Sequence, residues 1–114
     1  MPKDVSQADY EKEVLKSKVP VLVDFWGPQC RPCLALTPIV ERLEKEYAGK
    51  IKVVKVNAGR NRMLCARLKI MSVPTIVLYK NGTEQFRLAG DNIDEKTLRQ
   101  LIEGIALEEI SNTK

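Results

Sequence analysis

Two cysteines three positions apart, Cys30 and Cys33, are the residues of this chain best suited to do chemistry. They stand in Cys30-Arg31-Pro32-Cys33, directly after an apolar run and at the start of a helical pattern. A C-x-x-C in that context reads as a redox pair rather than as half of a zinc site. On a helix, positions i and i+3 lie one above the other with Cβ atoms about 5–6 Å apart. A small adjustment brings them to the ~3.5–4.5 Å of a disulfide, so the pair can join and part with little backbone motion. A thiol at a helix start also faces unpaired N–H groups and the positive end of the helix dipole, which favour its thiolate. Pro32 presets φ for the first turn, where no hydrogen bond is lost.

The rest of the composition narrows the alternatives. The chain has 114 residues, 44% of them hydrophobic, which suits one compact domain with an unstapled core. It contains no His, which excludes Cys-His, Ser-His and His-ligated metal chemistry. Three cysteines cannot build an all-cysteine tetrahedral zinc site in one chain, and the odd count argues against a secreted disulfide scaffold. No window approaches the ~18 consecutive apolar residues of a membrane span. The start, MPKDVSQADYEKEV, lacks the apolar run of a signal peptide. The expected compartment is the reducing cytoplasm, where paired cysteines are usually catalytic, redox-sensing or metal-binding.

The net charge is +4, unevenly spread. Between Tyr47 and Thr83 there is no acid, but there are eight bases, including Lys55, Arg60, Arg62, Arg67 and Lys69. These make either a solvated surface or a basic face that attracts an acidic protein partner. They form no tight run, and aromatic residues are only 5% of the chain, so nucleic acid is not an expected partner.

To position the cysteines the chain offers alternating strand and helix patterns. Ser6 is placed to cap a first helix with Tyr10, Val14 and Leu15 on its apolar side. Val19 to Trp26 reads as a strand covered on both faces. A helix follows from about Cys30 or Pro32 to Ala48, stops at Gly49 and carries an internal Pro38 that should kink it. Ile51 to Val56 is a strand, and Arg62 to Leu68 a short helix. Thr75–Lys80 and Thr83–Leu88 are strands joined by Asn81-Gly82, the strongest two-residue hairpin signal. A last helix begins near Asp94 and packs Leu98, Leu101, Ile102 and Ile105. The fold class is α/β, a central mixed sheet with helices on both faces, over a core of about residues 4–106 followed by a short polar tail.

The segment Phe25-Trp26-Gly27-Pro28-Gln29-Cys30-Arg31-Pro32-Cys33 resembles the active-site segment of the thioredoxin family. Val23-Asp24-Phe25-Trp26, Pro38, Val73-Pro74-Thr75, Lys80-Asn81-Gly82 and Gly90 match in order, so the likeness covers almost the whole chain. It implies a thioredoxin fold and reduction of protein disulfides by dithiol exchange, with the Cys30–Cys33 disulfide as redox centre and no bound cofactor or metal. It implies further a monomer that draws electrons from a thioredoxin reductase-type donor. Cys30 would be the nucleophile and Cys33 the resolving thiol. Asp24 would move the Cys33 proton, with Lys55 as its basic partner; read from residues alone, Asp24 could be a strand-end acid bonding backbone and Lys55 an exposed strand lysine. Pro74 would be a cis-proline that presents the Val73 backbone to a substrate strand. Trp26, Gln29, Arg31, Pro32 and Gly90 would complete the substrate-binding rim.

Three positions depart from the family pattern. Gln29 replaces a tryptophan and Arg31 a glycine, which points to a dedicated client or reductase. Arg31 is expected to favour the Cys30 thiolate and make the disulfide more oxidising. Gly59 replaces an acid that helps cap the next helix, so Asn57 or Asn61 must substitute. The third cysteine, Cys65, is either a small buried apolar residue or a regulatory thiol open to glutathionylation. Two further readings stay open: a thioredoxin-fold binding module with little turnover, and a metal-binding dimer through Cys30 and Cys33.

Overall fold

The computed structural model describes residues 2–111. Its strands are β1 (Lys3–Asp4), β2 (Val21–Trp26), β3 (Lys52–Asn57), β4 (Thr75–Lys80) and β5 (Thr83–Ala89). They form one mixed sheet in the order β1-β3-β2-β4-β5. β1 and β2 run parallel to β3, whereas β4 runs antiparallel to β2 and β5 antiparallel to β4. Three α-helices, α1 (Arg31–Glu46), α2 (Arg62–Leu68) and α3 (Glu95–Ser111), accompany a π-helical turn at Glu11–Leu15 and a 3-10 turn at Ala58–Arg60.

Side chains alternate between the two faces of a strand, and that period divides the core. Val21, Val23 and Phe25 of β2 join Val54, Val56, Tyr10, Val14 and Leu64 on one face. Leu22, Val53, Ile76 and Leu78 meet Leu36, Val40 and Leu43 of α1 and Leu98 and Ile102 of α3 on the other. Asp24 alternates with Leu22, so it lies on the face that α1 and α3 cover. The expected α/β architecture with helices on both faces is therefore present.

Local differences have local causes. β1 was not expected, because two polar residues carry no periodic signal; it pairs with β3 through backbone. The first helix is a five-residue π turn in which Lys16 N–H donates to the Glu11 carbonyl at 2.9 Å. No side chain caps it, and Ser6 contributes its carbonyl, which accepts from Asp9 N–H at 3.0 Å. β2 begins at Val21, and Val19 is exposed. α1 runs unbroken through Pro38 and ends two residues before the expected Ala48. Asn81 and Gly82 both have positive φ, 54° and 78°, as a two-residue hairpin turn requires. Asp94 Oδ1 caps α3 by accepting from Thr97 N–H at 2.7 Å. α3 continues to Ser111, so the first part of the expected polar tail is helical; residues 112–114 of that tail lie outside the described residues. Among the described residues no helix is long and apolar enough to cross a membrane.

Candidate active site

The two cysteines occupy the first turn of α1. Cys30 is its N-cap, with the extended backbone (φ −94°, ψ 108°) that lets a side chain fold back over the helix start. Its Sγ accepts the Cys33 N–H at 3.1 Å, and its carbonyl accepts the Leu34 N–H at 3.1 Å. A sulfur thus fills the place usually taken by a serine or aspartate oxygen. Negative charge on that sulfur meets both a hydrogen bond and the positive end of the helix dipole. Cys33 is only 2% exposed, while Cys30 is half-buried. The two are joined as a disulfide with Cα atoms 5.2 Å apart.

A loop before β4 closes one side of this pair. The Val73–Pro74 peptide is cis, as the resemblance implies. Gly90 donates its N–H to the Pro74 carbonyl at 3.1 Å, and Pro32, Pro74 and Gly90 line one small hollow with Leu36. On the other side, a Cβ added to Gly27 would lie 3.7 Å from Val73 Cγ2 and 3.9 Å from Cys30 Cβ. Gly27 therefore neighbours both Val73 and Cys30. Gln29 and Arg31 are both exposed.

Beneath α1 a row of charged residues crosses the sheet. In register, Asp4 of β1 faces Lys55 of β3, and Lys55 faces Asp24 of β2. Asp24 is 1% exposed and its Oδ1 has no hydrogen-bond partner. Burial pushes its carboxyl up to about 7; the Lys55 charge pulls it down and Asp4 pushes it up again. The expected pairing of Lys55 with Asp24 is not a contact. The Lys55 ammonium lies over the Trp26 ring, 4.3 Å from its centroid, and acts on Asp24 through space. Trp26 Nε1–H donates to Asp4 Oδ1 at 3.3 Å. Asp4 is the member of this site that the sequence did not reveal, since nothing local marks a two-residue strand.

The support for α2 differs from expectation in one respect. Asn57 Oδ1 accepts from Arg60 N–H at 3.3 Å and caps the 3-10 turn. Asn61 opens α2 without capping it. Its buried side chain instead accepts from Gln7 N–H at 2.9 Å and donates to the Asn57 carbonyl at 2.8 Å, and Gln7 Oε1 accepts the Leu64 N–H at 3.3 Å. Cys65 is buried on α2, and burial pushes its thiol up. That suits a packed apolar residue.

Comparison with known proteins decides the family. The family model described as Thioredoxin matches residues 1–104. The chain belongs to the thioredoxin family. It is 46% identical over 85 residues to the thioredoxin of Rickettsia felis, covering 75% of this chain and 81% of that protein. It is 41% identical over 99 residues to thioredoxin 1 of Nostoc sp., covering 87% of this chain and 92% of the relative. It is 39% identical over 100 residues to the chloroplastic M-type thioredoxin of Spinacia oleracea, covering 88% of this chain and 55% of the relative. Its activity is that of a protein-disulfide reductase, exercised by dithiol exchange through Cys30 and Cys33. Disulfide substrates and a reductase donor belong to that chemistry in general. Among the described residues no cluster of His, Cys, Asp and Glu is placed to hold a metal ion.

Proposed function

We propose that the chain works as a single monomeric domain in the cytoplasm and that its site residues divide the reaction as follows. The Cys30 thiolate attacks one sulfur of a client disulfide; that bond breaks, and the other client sulfur leaves as a thiolate. The Cys33 thiol passes its proton to the Asp24 carboxylate and attacks Cys30 Sγ. The second client thiolate leaves, the client is reduced, and Cys30–Cys33 is oxidised. A reductase donor returns two electrons. The Lys55 charge, seated on the Trp26 ring, tunes Asp24 through space, while Val73 and Pro74 offer backbone to an extended client segment beside Trp26. Pro32, Gly90, Gln29 and Arg31 form the rim around it.

One observation carries the assignment of Cys30 as nucleophile: it is the more exposed residue of the two, and its sulfur already accepts an N–H at the helix start. The test is turnover of a disulfide peptide with dithiothreitol as reductant. Cys30→Ser should abolish it; Cys33→Ser should stall as a mixed disulfide visible by mass. Turnover surviving Cys30→Ser overturns the assignment, and client binding without turnover in the parent chain favours a binding module. Iodoacetamide kinetics on the same proteins read the Arg31 effect, since Arg31→Gly should raise the Cys30 pKa; an unchanged value removes Arg31 from the account.

A further inference from the structure

The arginines of this molecule fall into two populations. Arg42, Arg87 and Arg99 are each engaged by carboxylates: Arg42 by Glu95, Arg87 by Glu84, and Arg99 by Glu95 and Glu46. Arg31, Arg60, Arg62 and Arg67 have no carboxylate partner among the described residues. Arg31 lies between the cysteines, and the other three lie in the acid-free stretch that forms the 3-10 turn and α2. Because Trp26 and Asn57 pair at the ends of the parallel strands β2 and β3, the unpaired guanidiniums that follow β3 begin at the same end of the sheet as Cys30.

The same end holds an open cleft of about 390 Å³, whose walls include Ala58, Arg62, Ile70, Met71 and Val73. Val73, on one wall, adjoins Gly27 of the loop that leads to Cys30, so the cleft borders the active-site loop and carries an unpaired guanidinium on another wall. Met71 is 89% exposed on its rim. A flexible thioether adapts to apolar side chains of varied shape. A guanidinium beside an apolar wall, with no internal counter-ion, favours a carboxylate that can bond it in two places.

We propose that this cleft selects client disulfides flanked by an acidic segment, with Arg62 as the specificity-determining residue that pairs with a client carboxylate. Met71 and Val73 take the adjoining apolar side chain. The surrounding unpaired bases steer the acidic segment toward Cys30, which speeds encounter and makes it salt-dependent. The inference rests on the disulfide-reductase activity and adds to it the class of client.

The test uses three peptides with the same internal disulfide, flanked by Glu, Gln or Lys residues. The readout is the second-order rate constant at which each oxidises the fully reduced chain. The Glu peptide should lead the Lys peptide by about tenfold at low salt, and 0.5 M NaCl should shrink that lead several-fold. Arg62→Glu should invert the order. Arg62→Lys should keep the order with a smaller ratio, because the charge remains and the two-point geometry is lost. Equal rates for the three peptides, or a Glu preference that survives Arg62→Glu, overturns the proposal. A small aromatic disulfide separates the two levels of the argument. If the chain reduces it but treats the peptides alike, only the client selection fails; if it reduces none of them, the reductase activity fails as well.

Discussion

Asp24 sits within an apolar strand with Oδ1 sealed from water and unpartnered, so the fold resists its ionisation. Its carboxyl is held up at about 7, first by burial, while in the unfolded chain it titrates near its ordinary value of about 3.9. Between those values the folded state holds a proton that the unfolded state has lost. Stability must therefore fall as pH rises from about 4 to 7, with the full penalty present above 7. The Asp24→Asn variant should lack this fall and exceed the parent by roughly 2–4 kcal/mol at pH 8, with little difference below pH 4. Urea denaturation across that range checks it; a parent curve that stays flat from 4 to 7 would show a carboxyl that ionises freely. At this scale the sequence was informative where a residue contradicts its surroundings. One acid inside Val21-Leu22-Val23-Asp24-Phe25-Trp26 is conspicuous, and so is a proline pair of Cys-x-x-Cys and Val-Pro. The placing of Lys55 was not legible. Its ammonium rests on Trp26, whose indole is tied to Asp4, and those contacts come from three strands that only the folded sheet brings together.

At the scale of elements, signals written in adjacent residues translated directly. The positive-φ turn at Asn81-Gly82, the apolar stripe of α1 and the twofold-buried runs of β2 and β4 are all local or periodic. The support of α2 is neither. Gln7 and Asn61 are 54 positions apart and make their bonds only after the first turn has packed on the sheet. No spacing rule reaches that far, so the capping expected from Asn57 and Asn61 alone was incomplete. The consequence is measurable. Asn61 is buried and both accepts and donates, so Asn61→Ala leaves the Gln7 N–H and the Asn57 carbonyl without their partner. Loss of two such bonds should cost about 1–3 kcal/mol and lower the thermal midpoint by several degrees. Calorimetry on Asn61→Ala beside the exposed control Arg67→Ala reads this. Equal midpoints would mean that α2 is held by the packing of Leu64 and Cys65 alone.

Across the whole molecule the arginines are arranged for different tasks in different places. Near the disulfide, guanidinium groups are left unpaired. Where α1 and α3 meet, Arg42, Glu95, Arg99 and Glu46 form a chain of ion pairs that ties one helix to the other. Hydrogen bonds from Arg42 and Arg99 hold Glu95 down at about 2, below the ordinary carboxylate range. A depressed folded pKa supplies stability that is present above about 4.5 and is lost as pH falls toward 2. Lys52 lowers Glu13 and the Thr97 backbone lowers Asp94, so both carboxylates act in the same direction. Asp24 acts in the opposite direction over the next window up. Stability of the parent chain should therefore be greatest around pH 4–5, where the paired carboxylates have ionised and Asp24 has not. Glu95→Gln should be the less stable protein at pH 7 and should lose less on acidification, so that its curve converges on the parent's near pH 2. Added salt should narrow the gap at pH 7, because these side chains are solvent-accessible and screened. Denaturation midpoints of parent, Asp24→Asn and Glu95→Gln from pH 2 to 9 separate the two windows. If Glu95→Gln parallels the parent through the acid limb, the bridge between α1 and α3 carries no net stability, and Leu98 and Ile102 hold that face without it.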